Sequence, residues 1–268
     1  MPIWGIQAVQ PPIGTPINWS NPITQRLAWV APINEGTGNA NGYMGNGAFA
    51  PVLTGTPSWV SGPQGLGLSC SNTAYNSYGN GSALGLPNPG STPFSTLWYG
   101  SVTSVTTRTD VFGQWLSAYY GFLISANVFA NGKFSLYASS SFTHCESPTF
   151  TTNVPYVIIG TQNFSLATPQ QTIWMNGVSA SVTMSTTALS NVSSNLVLGN
   201  SQAVSSTANI TYMAAIWGRV LDPSEILSLQ LNPYQIFAPS SFDWLAQSIL
   251  SDPAGVASDT SSMCFAVP

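Results

Sequence analysis

Charge is what this sequence lacks. Only 4% of its 268 residues are Asp, Glu, Lys or Arg, against roughly a quarter in an ordinary soluble domain. Its four basic residues, Arg26, Arg108, Lys133 and Arg219, cannot neutralise a row of phosphates, which excludes DNA and RNA as principal partners. Eight scattered acids leave a net charge of −4, with no acidic tail and no long-range steering field. Long apolar runs are missing as well. Mean hydropathy is +0.17, and no charge falls between Glu35 and Arg108 or between Glu146 and Arg219. Yet Gly, Pro, Asn and Ser break every stretch before it reaches the ~20 apolar residues of a spanning helix. Met1-Pro2-Ile3-Trp4 carries neither the basic nor the apolar part of a secretion signal, so the expectation is synthesis in a cytoplasm without membrane insertion. A membrane barrel also alternates apolar and polar residues, but it needs an export signal.

Cysteine is scarce. Cys70, Cys145 and Cys264 are far apart and odd in number, which gives neither a disulfide framework nor a zinc site. Asn-X-Ser/Thr triplets such as those at Asn18, Asn163, Asn191 and Asn209 are what chance supplies in a chain so rich in these residues.

What is abundant is apolar and uncharged polar matter. With 44% hydrophobic and 12% aromatic residues the chain can bury a large core under a surface of Ser, Thr, Asn, Gln and Gly. Residues 1–24 hold Pro2, Pro11, Pro12, Pro16 and Pro22, which favours an extended arm lying along a surface or reaching to a partner. From Phe94 onward short apolar runs alternate with turn residues at the spacing of an antiparallel sandwich. The expected strands are 94–105, 111–117, 120–128, 133–142, 156–164, 171–175, 196–198 and 211–217. Asn131-Gly132 and Asn176-Gly177 supply the positive φ of tight hairpin turns.

One helix is encoded, at Leu221-Asp222-Pro223-Ser224-Glu225-Ile226. Asp222 suits the N-cap, Pro223 the first helical position, and Glu225 the third, where it reaches back to the cap. Ile226 and Leu229 form a short apolar stripe that must lie on the sheets, and Asn232-Pro233 ends the helix. After Phe237 the chain returns to Pro, Ser, Asp and Ala. Phe242, Trp244, Leu245, Ile249 and Leu250 make residues 239–268 an apolar tail expected to order against another subunit.

The order of motifs resembles the concanavalin-like, laminin G-like jelly rolls found in tailed-bacteriophage virion proteins. The resemblance runs from Gly14-Thr15-Pro16-Ile17-Asn18 and Leu27-Ala28-Trp29 through Asn34-Glu35-Gly36-Thr37-Gly38, Trp59 and Gly65-Leu66-Gly67-Leu68. It continues at Ile173-Trp174-Met175-Asn176-Gly177-Val178 and Leu196-Val197-Leu198-Gly199. It closes on Ala214-Ala215-Ile216-Trp217-Gly218-Arg219-Val220-Leu221 and Asn232-Pro233-Tyr234-Gln235-Ile236-Phe237. It implies an all-β, two-sheet antiparallel jelly-roll sandwich over residues 25–238, with one short helix near its end, between the arm and the tail.

Chemistry is sparse. Glycosidases need two carboxylates in close reach, and Asp110 and Glu146 stand alone in the sequence, so no catalytic residue is assigned and the chain reads as a non-enzyme. His144-Cys145-Glu146 is the one local cluster of protic groups; on a strand, His144 and Glu146 share a face. A polar strand-edge cluster is the simpler reading, and neither bound metal nor cofactor is expected. Sugar binding needs no charge, because an aromatic face stacks on a pyranose while amides and hydroxyls take its OH groups. The aromatic pool is Tyr75, Tyr78, Trp98, Trp115, Tyr119, Tyr120 and Trp174, most of them expected in the core. Tyr75, Asn76, Tyr78 and Asn80, in a Gly/Ser/Asn-rich stretch read as a loop, are the expected carbohydrate contacts.

The reading that follows from the resemblance is a structural virion protein, a capsid decoration or head or tail appendage subunit on the particle exterior. It would pair with copies of itself and with other virion proteins such as the major capsid protein, since so apolar and uncharged a chain leaves sticky surface. The alternative is a carbohydrate-binding adhesin that attaches to host-surface polysaccharide, and a third reading is a polysaccharide-degrading hydrolase.

Overall fold

The computed structural model describes residues 9–44, 47–62, 64–71, 73–81, 83–88, 92–114, 121–137, 143–166, 168, 170–184, 195–199 and 207–238. These form two antiparallel sheets packed face to face. The larger sheet runs, in spatial order, β15 (Val178–Thr183), β14 (Gln170–Met175), β13 (Tyr156–Asn163), β8 (Phe94–Val102), β17 (Asn209–Trp217), β1 (Leu27–Ala31), β2 (Gly42–Met44) and β3 (Gly47–Phe49). The hairpin of β5 (Ser58–Gly62) and β6 (Gly65–Cys70) joins it through β6 and β17. The smaller sheet runs β12 (His144–Thr149), β11 (Lys133–Tyr137), β10 (Leu123–Ala126), β9 (Thr109–Gln114), β16 (Asn195–Leu198), β7 (Tyr75–Asn80) and β4 (Val52–Thr54). The all-β sandwich expected from the turn spacing is therefore the fold.

Alternation along each strand sends one set of side chains between the sheets. Trp29, Trp98, Phe112, Phe134, Ile158 and Leu196 meet there, with Trp29 stacked on Phe112 at 5.8 Å and Trp98 tilted onto Phe134 at 5.6 Å. The Trp98 indole N–H donates to Thr211 Oγ1 at 2.9 Å, which satisfies the one polar atom that the ring carries into the core. Gly42 is required beside this core, since a Cβ on it would fall 2.3 Å from Trp29 Nε1.

A second core lies on the outer face of the larger sheet. Leu97, Tyr99, Met213, Ala215 and Trp217 point outward from β8 and β17 and are covered by Ile226 and Leu229 of α1 (Pro223–Leu231) and by Tyr234 and Ile236. Both faces of β8 and β17 are thus buried: β17 ends in the unbroken run Tyr212–Trp217, while β8 buries Ser95, Thr96 and Ser101 among its apolar residues. The helix begins as its sequence grammar requires: Pro223 opens it, and Glu225 Oε2 accepts the Asp222 N–H at 2.8 Å. Arg219 binds both oxygens of Glu225, at 2.6 and 2.7 Å, and also donates through Nε to Gln25 O at 2.9 Å.

Asn176 (φ +52°) and Gly177 (φ +75°) make the two-residue turn between β14 and β15, with both residues left-handed as a type I′ turn demands. The other expected tight turn differs. Residues 127–132 form a longer connection between β10 and β11, because Asn127 itself turns left-handed (φ +59°) and its side chain closes the loop, accepting from Gly132 N at 2.7 Å. The first strands, β1 to β7, lie mostly in Gly-, Ser- and Asn-rich sequence that carries little apolar alternation. Residues 10–24 lie along the sandwich: Gln10 Nε2 donates to Leu66 O at 2.8 Å, Asn34 Nδ2 to Pro11 O at 2.8 Å, and Asn21 caps a 3₁₀ turn at Pro22–Thr24. Residues 1–8 and the expected tail, 239–268, lie outside the described residues.

Candidate functional site: a charged and aromatic cluster on the smaller sheet

Four of the chain's few charges come together in space. On the outer face of the smaller sheet, in-register pairing sets Asp110, Ser125, Ser135 and Glu146 in one row across β9, β10, β11 and β12. Two residues further along, Leu123, Tyr137 and His144 form a second row. A bulge in β9 makes this possible: Phe112 faces Ile124 but Asp110 faces Ser125. The extra residue lets Val111 and Phe112 both point inward while Asp110 is re-aimed outward.

Asp110 is fully buried and fully engaged. Arg108 donates to it through Nε at 2.9 Å and Nη2 at 3.1 Å, and the Ser125 hydroxyl donates to the same carboxylate. Arg108 Nη2 also reaches the Tyr137 hydroxyl at 2.9 Å. Burial pushes the Tyr137 phenol up, and the Asp110 charge adds to it, so this hydroxyl stays protonated. Burial opposes the Arg108 charge, but the bond to Asp110 and its charge more than offset that and raise the guanidinium. A second pair, Lys133 Nζ to Glu146 Oε2 at 3.4 Å, closes the row on its more exposed side.

Over these residues the 127–132 connection lays Phe129, which is 39% exposed. Its ring stacks on the chain's single histidine, His144, with centroids 3.5 Å apart and planes 5° from parallel, and meets Tyr137 edge-on at 5.7 Å. The cluster therefore offers a solvent-facing aromatic ring among paired cations and anions that cancel one another. That combination suits an uncharged, hydroxyl-rich ligand better than a polyanion.

Asp110 and Glu146 sit three strand spacings apart, about 14 Å between backbones, against the roughly 5–9.5 Å between carboxyl groups in glycoside hydrolysis. Among the described residues no three His, Cys, Asp or Glu side chains cluster as metal ligands would. Cys145 points inward between His144 and Glu146, and burial raises its thiol to about 12, as it does that of Cys70.

The four expected sugar contacts fall on a strand, β7, and not in a loop. Tyr78 points inward with 1% of its surface exposed, donates its hydroxyl to Ala40 O at 2.7 Å and packs edge-on against Trp29 at 4.9 Å. Its ring has no face left for a sugar. Asn76 is buried on the same inward side. Asn80 is half-buried at the strand end, accepting from Ala83 N at 2.8 Å. Tyr75 alternates to the outer face, half-buried, on the side of the sheet that carries Phe129. Trp98 is in the core, Trp174 packs partly buried against the second core, and Trp115, Tyr119 and Tyr120 lie outside the described residues. Phe129, Arg108 and Lys133 are not among the contacts expected from the sequence, although theirs is the one stretch, 108–146, in which four charges and the only histidine come close together.

No protein-family model and no curated protein sequence matches the chain. Solved structures do match its fold. The chain is a β-sandwich of the kind seen in toxin binding domains and in a glycoside-hydrolase module. The binding domain of Paraclostridial Mosquitocidal Protein 1 aligns with a TM-score of 0.61 and 13% identity, over 79% of this chain and 53% of that one. The binding domain of botulinum neurotoxin serotype D gives 0.56 and 9%, over 78% and 50%. Domain 4 of AbnA, an extracellular arabinanase from Geobacillus stearothermophilus solved with arabinotriose, gives 0.53 and 15%, over 68% and 88%. This chain thus spans about half the length of the two toxin domains and most of the arabinanase module. At such identities the likeness is one of fold.

Proposed function

We propose that this chain is a non-catalytic glycan-binding module that grips a neutral polysaccharide, with Phe129 as the stacking ring. The observation that carries this reading is the exposed Phe129–His144 stack, set among the self-cancelling pairs Arg108–Asp110 and Lys133–Glu146 on an otherwise almost uncharged sandwich. The arabinotriose-bound fold neighbour supports it. Phe129 supplies the apolar face, while Arg108 and Lys133 hydrogen-bond hydroxyls at its margins. Tyr75, on the same side of the sheet but four strands from Tyr137, lies outside this site. The individual contacts are weak, and multivalent display converts them into avidity. A neutral-glycan array probed with the full chain, followed by calorimetry on any hit, tests this: Phe129→Ala lowers affinity at least about tenfold. Binding unchanged in Phe129→Ala, or no binding by any neutral glycan, removes the reading.

A second reading is an exterior structural subunit of a tailed-phage virion. The motif run from Gly14 to Phe237 supports it, as does a surface whose scarcity of charge makes it indifferent to salt and to packaged DNA. Mass spectrometry of purified particles tests it, and absence of the chain from them removes it.

A further inference from the structure

The sheets have free edges, and most are protected. β3 and β4 are three residues long, and β12 carries Pro148. β5 runs beside the arm at Gln10 and the loop at Gly38, to whose carbonyl Trp59 donates at 3.0 Å. β15 is the exception. It ends its sheet among the described residues, is six residues long, and contains neither proline nor charge, the devices that ordinarily keep an edge from pairing.

Val178-Ser179-Ala180-Ser181-Val182 reads the same in both directions, so an antiparallel two-fold pairing centred on Ala180 sets valine against valine and serine against serine. The turn at Asn176-Gly177 fixes which groups are free. In it the Val178 N–H is directed at Met175 of β14. By alternation Ala180 and Val182 also bond inward, and Ser179 and Ser181 direct N–H and C=O to the open edge. The Ser181 hydroxyl is already taken up with Thr172 Oγ1 at 2.8 Å. Val178, 52% exposed, and Leu227, 41% exposed, extend the edge as apolar surface, with Leu227 reaching beside Gly177.

We infer that β15 pairs with β15 of a second copy about a two-fold axis through Ala180, so that the larger sheets of two molecules run on as one. Ser179 faces Ser181 of the other copy and exchanges both backbone bonds with it, roughly four bonds in all. Val178 faces Val182, and Ala180 faces itself. The occupant is a second copy because that pairing sets apolar Val178 against apolar Val182 and brings no like charges face to face.

Sedimentation velocity of the full chain across a concentration series tests the pairing. The wild type shows a concentration-dependent dimer. Ser181→Pro removes an outward N–H while sparing the bonds to β14 and weakens that dimer at least about tenfold. Circular dichroism verifies its fold. In a Cys264→Ser background, Ala180→Cys treated with oxidised glutathione gives a disulfide-linked dimer, because that residue meets its own copy at about 4.5 Å between Cα atoms. Ser179→Cys, offset from its own copy, does not. A monomer at every concentration, a dimer that Ser181→Pro leaves intact, or cross-linking through Ser179→Cys in preference to Ala180→Cys overturns the inference. Glycan binding by monomer and dimer alike is untouched by these outcomes.

Discussion

Asp110 depends on its neighbours more than any other acid described. A carboxylate with no exposed surface is tolerated because Arg108 forks onto it and Ser125 donates to it. Arg108→Ala leaves that charge buried without its cation and costs about 3 kcal/mol, read as a lower urea midpoint at unchanged slope. The inward thiols behave oppositely. Cys70 and Cys145, raised to about 12 by burial, resist iodoacetamide in the folded protein and react on unfolding, which mass spectrometry of alkylated peptides shows. Little of this was legible in the sequence. Tyr78 and Tyr75 look alike there, each flanked by small residues, yet parity along β7 sends one into the core and the other toward solvent. That parity becomes visible only once β16 and β4 are known to flank the strand. Asp110 and Glu146 likewise read as isolated because three turns of chain separate residues that the sheet lines up.

Among the elements, α1 was the most legible, since capping is a local matter: the proline at its start, Glu225 at the third position and Asn232-Pro233 at its end are all within one short stretch. Its anchoring was not legible, because Arg219 also holds the carbonyl of Gln25, far back in the chain. The bond to Arg219 lowers the Glu225 carboxyl below its ordinary 4.5, with burial working against it. A carboxyl lower in the folded than in the unfolded chain stabilises the fold above 4.5 and loses that contribution as pH falls through the folded value. Thermal midpoints from pH 6 down to roughly pH 3 fall less steeply in Glu225→Gln than in the wild type. Glu35 has the reverse sign. Burial raises it, despite the Asn41 N–H at 2.8 Å on Oε1, so its contribution is complete below 4.5 and is lost as pH rises through the raised value. Glu35→Gln therefore flattens the decline of stability with rising pH in that window. The two Asn-Gly turns show the same limit of local reading: Asn176-Gly177 is a tight turn because nothing nearby competes, and Asn131-Gly132 is not, because Asn127 begins the reversal four residues earlier.

At the scale of the whole molecule, fold class followed from composition and turn spacing, whereas sheet order, set by pairings between distant segments, did not. A molecule with so few charges, most of those described being paired at short range, has little long-range electrostatic energy to screen. Its thermal midpoint moves by no more than about 2 °C between roughly 20 and 300 mM sodium chloride at pH 7, as calorimetry checks. The seam where the arm meets the end of the sandwich has a different consequence. Ile17 bridges Phe237, Asn18 N donates to Ile236 O at 2.8 Å, and Ala238 N donates to Pro16 O at 2.9 Å. Residues 16 and 238 are therefore neighbours, and the sandwich between them is a nearly closed ring of chain. A permuted protein, with those two points joined by a short linker and new ends opened at the exposed turn around Asn153, keeps every pairing of both sheets. With residues 1–15 removed, a partner fused directly to residue 16 and another fused after residue 238 leave the sandwich from one corner, side by side.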